Sequence, residues 1–319
     1  MSGEAKPAAP TPTGGRSSNA TAAPGASGVG GRLGDALVTA AAKAPWWLVI
    51  LVVGLIAVGV YVAGSHDAQV TLQVLRRGMR VTITVTLTSF ALALVLGLVA
   101  GLGRVSRRRW ARELSTLYVE VVRGVPMLVV LLWFGFAFAP WIVTQLRDVV
   151  MGWSAAGTRA FGIVPWLVGI VEPCSKPSKC LSMEMRGILG LAFGYGAYVA
   201  EIVRSGVQAV GRGQTEAALS LGMTRRQSLQ YVILPQALQI ALPPLGNDFI
   251  ALLKDSSLIS VLAVADIVYV ARQHVSNTLQ TMQVFNLMAV VYLVLTMVLS
   301  FGVRWIEGRA EWTRIGRGT

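Results

Sequence analysis

Charge is scarce in this chain. Charged residues make up 13% of its 319 positions, about half of what a soluble domain carries. That composition argues against an ordinary soluble enzyme. Lysine is rarer still: Lys6, Lys43, Lys176, Lys179 and Lys254 are the whole set, and none follows Gly or precedes Ser or Thr. The phosphate-cradling pattern G-x-x-x-x-G-K-[ST] is therefore missing, and the chain holds no ATP-hydrolysing loop of its own. His66 and His274 are the only histidines, too far apart in sequence to favour a histidine-based acid–base centre. Cys174 and Cys180 are the only cysteines. Two thiolates with no His or further Cys nearby fall short of a four-ligand zinc set. No resident cofactor or metal is expected.

What is abundant is apolar sequence, at 54% of residues and a mean hydropathy of +0.61. It comes in blocks separated by Arg-rich segments, the pattern of a polytopic membrane protein. The blocks are 46–63, 81–102, 127–143, 187–203, 242–264 and 287–303; a weaker one, 161–171, is too short to span and contains Pro165. The fold class expected is an all-α integral membrane protein with about six transmembrane helices. Residues 1–44, rich in Ala, Pro, Gly, Ser and Thr, bury too little apolar area to offset their ordering entropy and are expected to be disordered. They do not read as a signal peptide, because apolar sequence begins only near Pro45. The net charge of +13 is spread between apolar blocks and not gathered on one patch, which points to cytoplasmic loops and away from nucleic acid.

With the N-terminus inside, eighteen of the 28 Lys and Arg residues fall on the cytoplasmic side and nine outside. The bias favours both termini in the cytoplasm, although Arg76, Arg77 and Arg80 run against it. The same topology puts Cys174 and Cys180 outside, where a C-x5-C pair either closes a small disulfide loop or stays as two free thiols.

The cytoplasmic loop 204–235 has local structure written into it. Thr215 is placed to cap a first short helix, with Glu216 in its positive first turn and Gly222 as a left-handed terminator. Thr224 and Gln227 form a T-x-x-Q capping box for a second. Leu229, Val232 and Ile233 give that helix an apolar side, and Pro235 is expected to stop it. A loop of this length with its own helices is more than a connector.

These residues carry a resemblance. Glu216-Ala217-Ala218, three residues, Gly222, nine residues, then Val232-Ile-Leu234-Pro235 resembles the EAA motif of the membrane subunits of binding-protein-dependent ABC importers, with Val232 where that pattern has Ile. The stretch Gly196-Ala-Tyr-Val-Ala-Glu201-Ile-Val-Arg204 is similar to one found in the polar amino acid group of those importers. So are Val122-Arg123-Gly124-Val-Pro126 and the run from Leu242 through Asn247 to Lys254-Asp255-Ser256-Ser257. Thr82, Thr84, Thr86 and Thr88 look like the threonine-bearing first span of such permeases. The likeness covers about residues 75–310. It implies a core five-helix permease bundle at 71–310, an additional N-terminal helix and short loop at 45–70, an external insertion at 144–185 and a cytoplasmic tail at 311–319.

The resemblance further implies a transport subunit of the prokaryotic cytoplasmic membrane that breaks no substrate bond. Its expected partners are a dimer of cytoplasmic ATPases, which bind the ATP, a second permease subunit and an extracytoplasmic amino acid-binding protein. Glu216, Ala217, Ala218, Gly222, Leu234 and Pro235 would couple to the ATPase. A permease for another small solute, an ATP-independent channel or secondary transporter, and an intramembrane enzyme are the alternatives; no nucleophile–base pair is visible for the last.

Lys254 and Asp255 are opposite charges inside an apolar block, costly in hydrocarbon unless paired or facing water. They read either as a structural ion pair or as a break that lines the translocation path with Ser256 and Ser257, Asn247 lying two turns earlier. Pro243, Pro244 and Gly246 are expected to interrupt any helix upstream. Glu201 and Arg204 read as a structural pair at the cytoplasmic end of their block. Gly97-x-x-x-Gly101 and Gly190-x-x-x-Gly194 permit close approach of spans.

Overall fold

The computed structural model describes residues 46–155 and 181–315, so the N-terminal tail, residues 161–171, Cys174 and Cys180 lie outside the described residues. The chain divides into two units at Val58–Gly59. Among the described residues every regular element is helical, as an all-α membrane protein requires. The elements are α1 Trp46–Gly64, α2 His66–Val105, α3 Arg109–Gly124, α4 Met127–Trp133, α5 Ala139–Ala155, α6 Met183–Ala209, α7 Arg212–Ser220, α8 Arg225–Gln227, α9 Leu234–Asp255, α10 Ile267–Thr278 and α11 Thr281–Ile315. Single π-helical stretches join α4 to α5 (Phe134–Phe138) and α8 to α9 (Ser228–Ile233), and a 3-10 stretch, Ser256–Leu262, follows α9.

Local rules explain the helix starts. Ser65 caps α2 by accepting from the Ala68 N–H, with Asp67 in the first turn; Ser182 does the same for α6 with Glu184; Asp266 caps α10 through the Tyr269 N–H at 2.8 Å. Each carboxylate or hydroxyl satisfies an orphan donor and meets the positive helix end. Pro126 stands immediately before α4, where its missing N–H costs nothing.

Among the described residues three helices are long and apolar enough to cross a bilayer: His66–Val105, Met127–Val149 and Thr281–Gly308. The apolar part of α1, Val49–Gly64, is shorter. With 27 and 22 residues, α6 and α9 reach about 40 and 33 Å, enough for the hydrocarbon layer of about 30 Å. Gly, Tyr and paired charges dilute the hydropathy of α6; Gln, Pro, Asn and Asp dilute that of α9.

Packing centres on α6. Its Ile188 and Leu191 meet Val85 of α2, Leu131 of α4 and Ile259 and Leu262 of the 3-10 stretch. Further along, Tyr195, Val199 and Val203 meet Ala93 and Leu252, and Ala197 and Ala200 meet Val119 and Val122 of α3. A separate cluster joins Leu75 of α2 to Ile267, Ala271, Val284, Leu287 and Val291 of α10 and α11. Lipid gives no hydrophobic drive to helix association, so close van der Waals approach carries it. At Gly101 an added Cβ would stand 2.7 Å from the Val203 side chain and 2.8 Å from the Ala200 carbonyl oxygen, and Gly97 abuts Val199 in the same way. The Gly97–Gly101 pair is thus the seam of α2 on α6.

Three local expectations are corrected. α7 begins at Arg212 with Gly211 before it and no side-chain cap, so Thr215 lies inside the helix and Glu216 beyond its first turn. Pro235 does not end a helix: it sits at the start of α9, where the missing N–H is tolerated, and the chain runs on helically. Pro243 and Pro244 lie inside α9 without ending it; a bundle of neighbouring helices tolerates the freed carbonyls that would break an isolated helix. The π-helical stretch 134–138 shows one such compensation, since the Gly135 carbonyl accepts from the buried Arg186 guanidinium at 3.1 Å.

Candidate functional site

The loop between α6 and α9 folds as a docked helix. α7 ends in a Schellman motif: the Met223 N–H donates to the Ala218 carbonyl at 3.1 Å and the Gly222 N–H to that of Leu219 at 3.0 Å. Gly222 has φ +80°, a conformation in which a Cβ is strained, so glycine is required there. The capping box of Thr224 and Gln227 is formed in both directions. Ala218 is buried at 3% exposure, and Gln236 Nε2 reaches Gln214 Oε1 at 3.4 Å, tying α7 to the start of α9. Glu216 and Ala217 face outward; Leu221 stands 81% exposed, and Leu219 and Tyr231 are exposed as well. Of the six residues expected to couple, Ala218 holds the helix down, Gly222 ends it, Leu234 and Pro235 begin α9, and Glu216 and Ala217 face out.

A second polar region runs between α6 and α9. Tyr195 donates to Asp255 Oδ2 at 2.8 Å, a partner 60 residues away that no local pattern announced. Lys254 points elsewhere: it lines an open recess of about 500 Å³ with Ser257, Val268, Met288, Tyr292 and Thr296. Adjacent helical side chains diverge by about 100°, and the two charges form no ion pair. The helical path does change here, since α9 gives way to the 3-10 stretch at Ser256. Ser256 itself is buried and donates to the Leu253 carbonyl at 2.8 Å, so its hydroxyl is engaged within the helix turn. Asn247 and Lys254, seven residues apart and both exposed, share one face of α9. Asp248 and Asp255 share the neighbouring face.

The third cluster closes one end of the bundle. Glu201 pairs with Arg204 on its own helix, as expected, and also with Arg104 of α2; Arg123 of α3 approaches it at 3.9 Å and Arg104 further reaches Glu120 at 3.3 Å. The Arg123 guanidinium also lies 5.4 Å from the centre of the Tyr198 ring. Two sequence stretches noted separately, around Arg123 and from Gly196 to Arg204, therefore meet on one carboxylate. Thr82 accepts from the Ile267 N–H at 3.3 Å and is buried, as is Thr86, whereas Thr84 and Thr88 face outward.

Comparison with known proteins agrees with this architecture. Residues 93–312 match the model of the binding-protein-dependent transport system inner membrane component. The chain belongs to that family. It is similar to the probable glutamine ABC transporter permease protein GlnM of Bacillus subtilis (strain 168), 34% identical over 68% of this chain and 83% of the relative. It is also similar to the glutamine transport system permease protein GlnP of Escherichia coli (strain K12), 31% identical over 75% and 94%. Among solved structures, an amino acid ABC transporter crystallised with histidines matches at a TM-score of 0.59 and 31% identity, covering 75% of this chain and 94% of that one. The MetNI methionine ABC transporter in an inward-facing form, at 18% identity and a TM-score of 0.57 over 77% and 99%, shares the fold. As a permease subunit of an ABC importer, the chain is a membrane component whose family works with a binding protein and an ATPase. The residues of the three clusters lie within the matched span 93–312.

Proposed function

We propose that this permease carries a polar amino acid inward across the cytoplasmic membrane, driven by ATP bound and hydrolysed on separate subunits. The observation that carries the coupling part is α7. A short helix, fixed from below by Ala218 and Gln214 and ended by Gly222, offers Glu216, Ala217, Leu219 and Leu221 outward. Large exposed apolar side chains on a membrane protein's polar loop mark a docking surface, and a helix laid in a partner's groove is the matching mode. ATP-driven closure of the ATPase pair would move α7 and, through the π-helical stretch 228–233, the start of α9. Two bundle states, biased by ATP on one side and loaded binding protein on the other, then give alternating access.

The path segment is read at Asn247, Lys254, Asp255 and Ser257. A zwitterion in an apolar passage needs partners for both charges. Lys254 offers a cation on the exposed face of α9, and Asp255 with Tyr195 offers an acceptor on the next. Relatives named for glutamine support an uncharged polar amino acid. The assembly would hold a second permease, two ATPases and an extracytoplasmic binding protein, with both termini of this chain in the cytoplasm. Residues 1–70 are read as an addition to the transport core, and transport by a chain beginning near Gln69 would support that.

The deciding experiment is uptake of a labelled amino acid panel by the reconstituted complex, with and without ATP. Saturable uptake of polar amino acids that requires ATP is expected. Flux that persists without ATP would replace the importer with a channel or secondary transporter.

A further inference from the structure

Arg76, Arg77 and Arg80 stand just before the 22 uncharged residues 81–102. That run measures about 33 Å as a helix and fills the hydrocarbon layer of about 30 Å. Five residues of helix before it cover about 7.5 Å, so all three guanidinium groups stand in the headgroup layer that flanks the hydrocarbon. All three are exposed. With Gln73, Met79, Ile83 and Thr84 they line an open recess of about 640 Å³.

Three observations bear on what fills it. The steps from Gln73 to Arg77, Arg80 and Thr84 keep these residues on one side of α2, opposite the side that packs inward through Leu75, Gly78, Thr82, Val85 and Ser89. The outward side continues as exposed apolar sequence, Leu87, Val95, Leu98 and Val99, the chemistry that acyl chains match. Among the described residues no carboxylate lies within ion-pair distance of any of the three arginines. The one acid of α2, Asp67, accepts instead from Gln280 at 3.2 Å.

We propose that this face of α2 binds the phosphodiester of an anionic phospholipid. Guanidinium groups match phosphate with paired, charge-assisted hydrogen bonds. Gln73 and the Thr84 hydroxyl supply further polar groups, and Met79 and Ile83 give the glycerol and first acyl carbons an apolar wall. The arginines also weigh against the charge bias that orients the chain, so their placement is better accounted for by a local ligand than by topology. The proposal holds for whichever leaflet this end of α2 enters, and it does not rest on the coupling or the substrate.

Full-length protein, delipidated in detergent, would be titrated with phosphatidylglycerol and with phosphatidylcholine and read by native mass spectrometry. Phosphatidylglycerol is expected to be retained preferentially. The Arg76→Gln, Arg77→Gln, Arg80→Gln triple variant should lose on the order of 100-fold in that retention, and Arg77→Gln alone about fivefold. A photoactivatable phosphatidylglycerol should cross-link within residues 73–84 of the wild-type complex, which decides the matter even if the triple variant fails to fold. Equal retention of the two lipids, or unchanged retention by the triple variant, overturns the proposal. Displacement of the lipid by millimolar inorganic phosphate would make it a free-anion site. A cross-link absent from the assembled complex would assign the face to a second copy or an acidic extracytoplasmic protein; either result also overturns it.

Discussion

The two ends of α2 handle arginine in opposite ways. At one end Arg104 is 11% exposed and held by Glu201 and Glu120, with Arg123 and Arg204 crowding the same carboxylate. At the other end Arg76, Arg77 and Arg80 are exposed and unmatched by any described acid. The first arrangement joins three helices, α2, α3 and α6, where the chain leaves the apolar layer. The second leaves its charges facing outward where the chain enters it. Partly buried charge must be neutralised from within the fold, whereas charge at the boundary can take its counterion from outside. One helix thus carries an internal fastening and an external attachment, with the Gly97–Gly101 seam between them.

The largest effect should come from removing the shared carboxylate. Glu201→Ala leaves Arg104, Arg123 and Arg204 close together with no common partner. Breaking a buried pair costs about 3–5 kcal/mol; with a quarter of this side chain exposed, about 2–4 kcal/mol is the expected loss. Thermal unfolding of the purified protein measures it. Glu201→Asp should recover part, because a carboxylate remains. If Glu201→Ala unfolds at the wild-type temperature, the cluster is a surface decoration and the contrast between the two ends disappears.

The seam is the next test. Gly101→Val puts a branched side chain where even a Cβ stands 2.7 Å from Val203. Overpacking of this kind costs about 1–3 kcal/mol. Gly54, with nothing within 4 Å of an added Cβ, provides the control: Gly54→Ala should not destabilise. Equal effects at the two glycines would show that the α2–α6 approach is not tight.

Much of this architecture is legible in the residues and some of it cannot be. Apolar runs marked α2, α4–α5 and α11 because twenty uncharged residues have few other uses. Thr224, Gln227 and Gly222 were readable because capping and left-handed termination are local. Thr215 misled, since a cap-type residue three positions inside a helix looks the same in sequence as one at its start. Pro235, Pro243 and Pro244 misled for the opposite reason: local rules end a helix where the surrounding bundle sustains it. Of the site, the Glu201–Arg204 pair was visible at i,i+3 spacing. Arg104 and Tyr195 were not, because partners 97 and 60 residues away are set by how helices pack. The 3-10 stretch after Asp255 showed only as a charge pair inside an apolar block.

The loop that carries α7 should give a stability effect like that of the seam and, on the docking reading, a large functional one. Gly222→Val forces a β-branched residue to φ +80°, at about 1–3 kcal/mol of local strain. Uptake by the reconstituted complex should fall with the spans still folded, and ATPase association should weaken. Full ATP-driven uptake by purified Gly222→Val complex would end the docking interpretation of α7.

The smallest effect is expected at the Arg76–Arg80 end of α2, and there smallness is the point. In detergent without anionic lipid, the Arg76→Gln, Arg77→Gln, Arg80→Gln triple variant removes three exposed groups that contact no described acid. Surface changes of this kind stay within about 0.5 kcal/mol, so its unfolding temperature should match wild type while that of Glu201→Ala does not. Adding phosphatidylglycerol should then separate the two proteins by stabilising the wild type alone, since a ligand stabilises only the folded state that binds it. A triple variant already as unstable as Glu201→Ala in lipid-free detergent would mean that these arginines hold the fold together as Arg104 does. The two ends of the helix would then no longer differ in kind.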